Sequence, residues 1–260
     1  MRIARFQLGN RVRHGVVEGN GIREIQGSIY QKFNYTGNTY PLSQVKLLAP
    51  TTPIHFMAGG ANYPDHLAQA NATSGRPGAG LSIRPWSKGS LDCVCGHEDP
   101  IIIPPDAKEV HWEAELVIVV GKECHRVSPE DAPRYILGYT CGNDVSEKAS
   151  WEKDFSNWRA KGMKNWGPVG PWIATDVDPG KLKGVLRLNG RVEHEWSCGD
   201  MIHDCPSIVS YISQYYTLHP GDLILTGASG VTTAMKPGDV VEVEISEIGT
   251  LRNPVVAEKV

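Results

Sequence analysis

Apolar and polar residues alternate through most of this chain with a period of two, the signature of strands with one face buried. Met1–Leu8 alternates, and Val12–Glu18 follows after a polar turn. Gly21–Ile25 and Val45–Leu48 predict two further short strands. The stretch Pro50-Thr51-Thr52-Pro53 ends this unit, because two prolines so close cannot continue a central strand. A domain boundary is expected there, with a small β domain over residues 1–50 and a larger domain over 51–260. Beyond it, Ile54–Ala58 predicts a short strand ending in Gly59-Gly60, and Pro64-Asp65 reads as a helix start. Residues 71–100 have weak periodicity and are rich in Gly, Ser and Pro, which predicts a long loop of the functional or mobile kind.

Leu116–Val120 is a continuous β-branched run closed by Gly121-Lys122, as in a strand buried on both faces. Pro129–Tyr135 predicts a short helix and Tyr135–Val145 another strand. Trp172–Thr175, Leu186–Leu188, Val192–His194, Asp222–Thr226 and Val240–Ile245 predict more strands. One amphipathic helix is expected over Cys205–Tyr216, with Ile208, Ile212 and Tyr216 on one stripe.

Composition narrows the function. With 260 residues, 40% hydrophobic and 21% charged, the chain can bury a full core without staples. A net charge of -3 removes the simplest argument for nucleic-acid binding. No apolar run approaches the length of a membrane span and no signal peptide is evident, so a soluble, cytoplasmic protein is expected. In such a protein the six cysteines are expected to be free thiols. Cys93-Val94-Cys95-Gly96-His97 is spaced too tightly for a structural zinc site. No P-loop, dinucleotide fingerprint or nucleophile elbow is present.

The sharpest chemical feature is His111-Trp112-Glu113-Ala114-Glu115, directly before the apolar run. Alternation places Glu113 and Glu115 on one face, and His111 could join them. Two carboxylates entering a buried strand need a compensating cation, for which Mg²⁺ or Mn²⁺ is the natural choice. The alternative is a solvated strand end. Asp144, at the end of the next strand, could complete an oxygen ligand set, or it could be a turn residue. His66 is a candidate general base near a helix start, and Lys161 a candidate for binding an anion or an enolate. Each also has an ordinary surface reading.

Taken in order, these pieces resemble the fumarylacetoacetate hydrolase family. The matching stretches are Asn62-Tyr63-Pro64-Asp65-His66, Glu113-Ala114-Glu115-Leu116, Asn143-Asp144-Val145, Gly167-Pro168-Val169-Gly170-Pro171, Pro220-Gly221-Asp222 and Thr226-Gly227. The resemblance implies an α+β, mostly β fold, a mixed β-sandwich roll preceded by a small N-terminal domain. It implies a divalent ion, Mg²⁺ or Mn²⁺, held by Glu113, Glu115 and Asp144. It also implies His66 and Lys161 as catalytic residues, and a homodimer that binds neither nucleic acid nor membrane. Tyr63, Gln69, Arg84, Trp151, Thr226 and Gly227 are the candidate substrate contacts.

The activity implied is metal-dependent hydrolysis of a C–C bond in an acylpyruvate-type 2-oxo acid through an enolate. Decarboxylation, tautomerisation or dehydration of a 2-oxo acid is the alternative, and a non-catalytic small-acid binder a second one. The chain departs from the family pattern at several positions. Gln69 stands where hydrolytic members pair the histidine with Glu, with Glu152 and Glu195 as candidate substitutes. Lys161-Gly162-Met163-Lys164 replaces Lys-Ser-Phe-Asp, and His194 stands where Gln is common. Trp86, Trp151 and Trp158 are expected either to cover the pocket or to pack a core or dimer interface.

Overall fold

The structure, a computed structural model, describes residues 1–68, 82–151, 154 and 156–259. A large mixed sheet forms its centre. Across it the strands run in the order Phe33–Pro41, Gly21–Gly27, Arg11–Glu18, Arg2–Leu8, Gly167–Ala174, Ile136–Asn143, Ala114–Val120, Leu223–Leu225, Phe56–Ala58 and Trp86–Ser87. A second sheet packs on its face, ordered Arg191–Ser197, Lys183–Leu188, Val240–Ile245, Gly249–Ala257, Ile101–Ile103. The result is the mostly β sandwich with little helix that the resemblance implied.

Every residue of Ala114–Val120 is buried, as its unbroken apolar sequence requires. Leu116 to Val120 are each 0% exposed, and each such side chain contributes about 1.5–3 kcal/mol of burial. Leu116 and Ile118 meet Leu186, Val241, Val243 and Ile245 of the second sheet in one core cluster. Val117 and Val119 face the opposite way, into a second cluster with Phe56, Leu223 and Leu225.

The N-terminal strands form an antiparallel meander with its own small core of Ala4, Phe6, Val17 and Ile22. The meander is continuous with the central sheet, through Arg2 opposite Ala174 and Ile3 opposite Ile173. Phe33–Pro41 is a strand that the sequence pattern did not reveal. Its residues are almost all exposed, so no apolar alternation marks it. Cys205–Ser213 is helical, with Asp204 capping the Ser207 N–H and Ile208, Val209 and Ile212 buried. It stops three residues short of the expected end, so Tyr216 lies outside the helix, 49% exposed. The expected helix over Pro129–Tyr135 is a single 3₁₀ turn, Ala132–Tyr135. No helix among the described residues is long and apolar enough to cross a membrane.

All six cysteines are free and buried. Among the tryptophans, Trp112 and Trp166 lie in the core, with their indole N–H groups donating to Thr233 Oγ1 and the Ile102 carbonyl. Trp158 is 65% exposed.

Candidate metal and acid-base site

Several central strands deliver chemistry to one end of the sheet. Ala114–Val120 lies between Ile136–Asn143 and Leu223–Leu225, antiparallel to both. The register sets Ala114 opposite Asn143, so Glu113 and Asp144 meet just beyond the paired segment. The Asp144 N–H donates to the Glu113 carbonyl at 2.8 Å, and the Glu113 N–H donates to Asn143 Oδ1 at 2.9 Å. Leu223–Leu225 runs into Thr226-Gly227, and the Gly227 N–H donates to Glu115 Oε2 at 2.6 Å. Phe56–Ala58, parallel to Leu223–Leu225, leads to the helical turn at residues 64–68 that carries His66.

Glu113, Glu115 and Asp144 are all buried, and each offers an oxygen within 4.8 Å of the others. Buried carboxylates this close repel one another and need cations. Three lysines supply them. Lys161 Nζ lies 2.6 Å from Glu113 Oε2 and 2.5 Å from Asp144 Oδ2. Lys148 Nζ lies 2.8 Å from Glu113 Oε1, and Lys88 pairs with Asp144 Oδ1. The environments of the two glutamates diverge. Burial acts to raise Glu113, but Lys148, Lys161 and His66 outweigh it and hold the carboxyl well below the usual range. Burial, with the nearby Asp144 charge, pushes Glu115 well above that range. Burial would lower Lys161, but Asp144 and Glu113 outweigh it and raise it, so it stays an ammonium.

An all-oxygen set with one ammonium bridging two of its members fits a hard divalent cation, because the ammonium already sits where positive charge is required. His111 does not join the set. Its Nδ1 meets Thr232 Oγ1 and its Nε2 meets Glu109 Oε1, each at 2.9 Å. The described residues also hold no Cys/His cluster suited to zinc.

His66 is buried, with its Nδ1 2.8 Å from the Gly230 carbonyl. A carbonyl only accepts, so Nδ1 carries a proton, and Nε2 is the nitrogen left to take up or give up a second one. Among the described residues no carboxylate hydrogen-bonds this ring. Gln69 and Glu152 lie outside the described residues. Glu195 is exposed and stands beside His194 instead.

The candidate substrate contacts fall into distinct environments. Thr226 Oγ1 donates to the Leu116 carbonyl at 2.9 Å, and the Gly227 N–H is committed to Glu115. Tyr63 is 1% exposed, and burial together with Cys198 and Glu115 raises its phenol, so the hydroxyl stays protonated. Arg84 is exposed, two residues before Trp86. Trp151 and Trp86 are half-buried, with ring centroids 5.5 Å and 5.1 Å from Lys161 Nζ. Lys88 was missed by the sequence reading. A lysine before Gly89 in a Gly/Ser-rich stretch carries no local pattern that separates it from a solvated one.

The fold and this acidic centre define a β-rich enzyme-like scaffold with three clustered carboxylates that could hold a cation at the end of its main sheet. Residues 55–256 match the family described as fumarylacetoacetate (FAA) hydrolase C-terminal, and residues 1–50 match the family Rv2993c-like, N-terminal. The chain belongs to the fumarylacetoacetate hydrolase family. It is 35% identical to rat mitochondrial oxaloacetate tautomerase Fahd2a, over 83% of this chain and 71% of that one. A solved structure of 2-hydroxyhepta-2,4-diene-1,7-dioate isomerase from Mycobacterium marinum is 37% identical, with a TM-score of 0.91 over 100% of both chains. Maleylpyruvate hydrolase from Sphingobium sp. SYK-6, solved with manganese(II) and pyruvate, is 26% identical, with a TM-score of 0.80 over 100% of both chains.

Proposed function

We propose that this protein is a divalent-metal-dependent tautomerase or isomerase of a 2-oxo dicarboxylic acid, moving a proton between carbon and oxygen through an enolate. The observation that carries the reading is the His66 tautomer beside the acidic triad. A backbone carbonyl fixes the ring but stabilises an imidazolium less than a carboxylate would. Either reaction leaves an imidazolium, but a carbon beside a 2-oxo group and a carboxyl is more acidic than free water, so a histidine with this weaker support suits proton transfer to and from carbon. The names of the rat relative and the M. marinum structure, a tautomerase and an isomerase, support the same class.

Glu113, Glu115 and Asp144 would hold the ion, Mg²⁺ or Mn²⁺, which supplies Lewis-acid stabilisation of developing negative charge. In this reading His66 Nε2 takes the proton from the carbon beside the 2-oxo group, and the imidazolium so formed returns a proton to the enolate oxygen, directly or through water, which restores the ring. The reverse order converts enol to ketone. Lys161, which stands beside the triad, would face the negative oxygens of the substrate. With every group ionised, the three acids and three lysines of the site cancel, so a divalent ion leaves a charge of two to be met. A dicarboxylate dianion meets it.

The second reading is hydrolytic C–C cleavage of an acylpyruvate-type acid. It is supported by the maleylpyruvate hydrolase likeness and by the same triad and lysine. A homodimer acting without nucleic acid or membrane, in the cytoplasm, completes the proposal. The test follows the enol band of oxaloacetate and of acylpyruvates, with Mg²⁺ and with chelator, together with product analysis. Metal-dependent loss of the enol of oxaloacetate without new acids supports tautomerisation. Cleavage of acylpyruvates into two acids at comparable efficiency overturns it in favour of hydrolysis.

A further inference from the structure

Lys88 follows the short Trp86–Ser87 strand, and its N–H donates to the Phe56 carbonyl at 2.8 Å. Its side chain is 0% exposed. The ammonium pairs with Asp144 Oδ1 and donates to the Lys161 carbonyl at 3.0 Å. Lys161 takes the other oxygen, Asp144 Oδ2. Each oxygen of Asp144 therefore has its own lysine.

The backbone enforces this arrangement. Each lysine is followed by a glycine, and the two glycines pack against each other. A Cβ on Gly89 would come 3.0 Å from the Gly162 Cα, and Gly89 has φ +95°. Gly167 leaves space for the Lys88 stem, since a Cβ there would lie 3.1 Å from Lys88 Cε.

The two ammonium groups differ in what a divalent ion would do to them. Lys161 bridges Glu113 Oε2 and Asp144 Oδ2, two oxygens of the triad, so an ion there competes with it directly. Lys88 is tethered to the backbone of Lys161 as well as to Asp144, and has no bond to either glutamate.

We propose that Lys88 is a positioning residue: a fixed internal cation that keeps one oxygen of Asp144, leaves the other for the ion, weakens the grip of the site on that ion, and anchors Lys161 so that its displaced ammonium meets the substrate. The inference rests on the proposed reading of the triad as a metal centre.

The test is calorimetric titration of Mn²⁺ into wild type and Lys88→Met without substrate, followed by steady-state kinetics. Removing a unit charge from a buried site beside a divalent ion is expected to tighten Mn²⁺ binding by about tenfold or more. Turnover is expected to fall by about tenfold or more at saturating metal, because Lys161 loses its anchor. A lysine that only fills space predicts unchanged or weaker binding, and that result in a folded variant overturns the proposal. Lys88→Gln, which retains hydrogen-bonding capacity without charge, is expected to tighten binding in the same direction.

A measurement on wild type needs no variant. Side-chain ammonium NMR on adding Mg²⁺ is expected to shift Lys161 and to leave Lys88 bonded to Asp144. Release of Lys88 overturns the proposal. Absence of any Mn²⁺ binding by wild type overturns the metal-centre reading itself, a failure distinct from that of Lys88.

Discussion

The Gly230 carbonyl accepts the Nδ1 proton of His66 at 2.8 Å, so among the described residues the backbone, and not a carboxylate, holds this ring. Gly230 can do this because it has φ +75° and no side chain. A Cβ there would come 2.4 Å from the ring of His194. That ring stacks on Trp112 and Trp196 and hydrogen-bonds Ser229 Oγ, so it has little room to retreat. Gly230→Ala is expected to cost about 1–3 kcal/mol of stability, measured by urea unfolding. Turnover is expected to fall further than stability alone explains, by about 10- to 100-fold, as His66 is misplaced.

Replacing His66 itself separates proton transfer from metal binding. His66→Asn is expected to lower kcat by about 10²- to 10⁴-fold, the usual range for a general acid-base group. Mn²⁺ affinity measured by calorimetry is expected to stay within a few-fold of wild type, since the ring does not belong to the carboxylate cluster.

The acids are expected to behave oppositely. Glu113→Gln and Asp144→Asn each remove a carboxylate charge from the centre and leave a lysine without its anion. Mn²⁺ affinity should drop by about 100-fold or more, because each variant removes an anionic oxygen ligand of the proposed ion. Chelator is expected to abolish turnover in wild type and added Mg²⁺ or Mn²⁺ to restore it, measured by enol absorbance.

Stability is expected to depend on histidines as well. His14, His97, His111 and His194 all have lowered pKa values, each with burial as the leading cause. Each is then neutral in the fold under conditions where the unfolded chain takes up a proton. Their contribution is complete above the ordinary histidine value, near 6.5, and is lost as pH falls through the folded values. For His194, Asp65 and Glu195 oppose the burial effect while His66 adds to it. The melting temperature is expected to decline from pH 7.5 to 5.5, with a shallower decline in His194→Gln.

Much of this architecture was legible before any coordinates. Leu116–Val120 announced a doubly buried strand because both of its faces pack, while Glu113, Glu115 and Asp144 were candidates at strand ends that the family resemblance joined into one set. Exposed strands gave no such signal: Phe33–Pro41 pairs through its backbone, and its side chains are almost all exposed. Lys161 was a candidate from the sequence, but the other two cations of the site were hidden for a related reason. Lys88 and Lys148 reach Asp144 and Glu113 across sequence separations of 56 and 35 residues, and a lysine's sequence context does not show whether its ammonium is buried. The partner of His66 was equally illegible, because a carbonyl acceptor depends on the turn at Gly230 and not on a residue type.

The central claim is that this chain moves a proton and leaves carbon–carbon bonds intact. Proton NMR in D₂O with Mg²⁺ and oxaloacetate tests it most directly, by reading deuterium entry at C3 alongside product formation. Wild type is expected to accelerate exchange and enol–keto interconversion far above the metal-only control, with the four-carbon skeleton retained and the acceleration lost in His66→Asn. Acceleration that persists in His66→Asn, or no exchange on oxaloacetate while an acylpyruvate is split into two acids, would contradict the account.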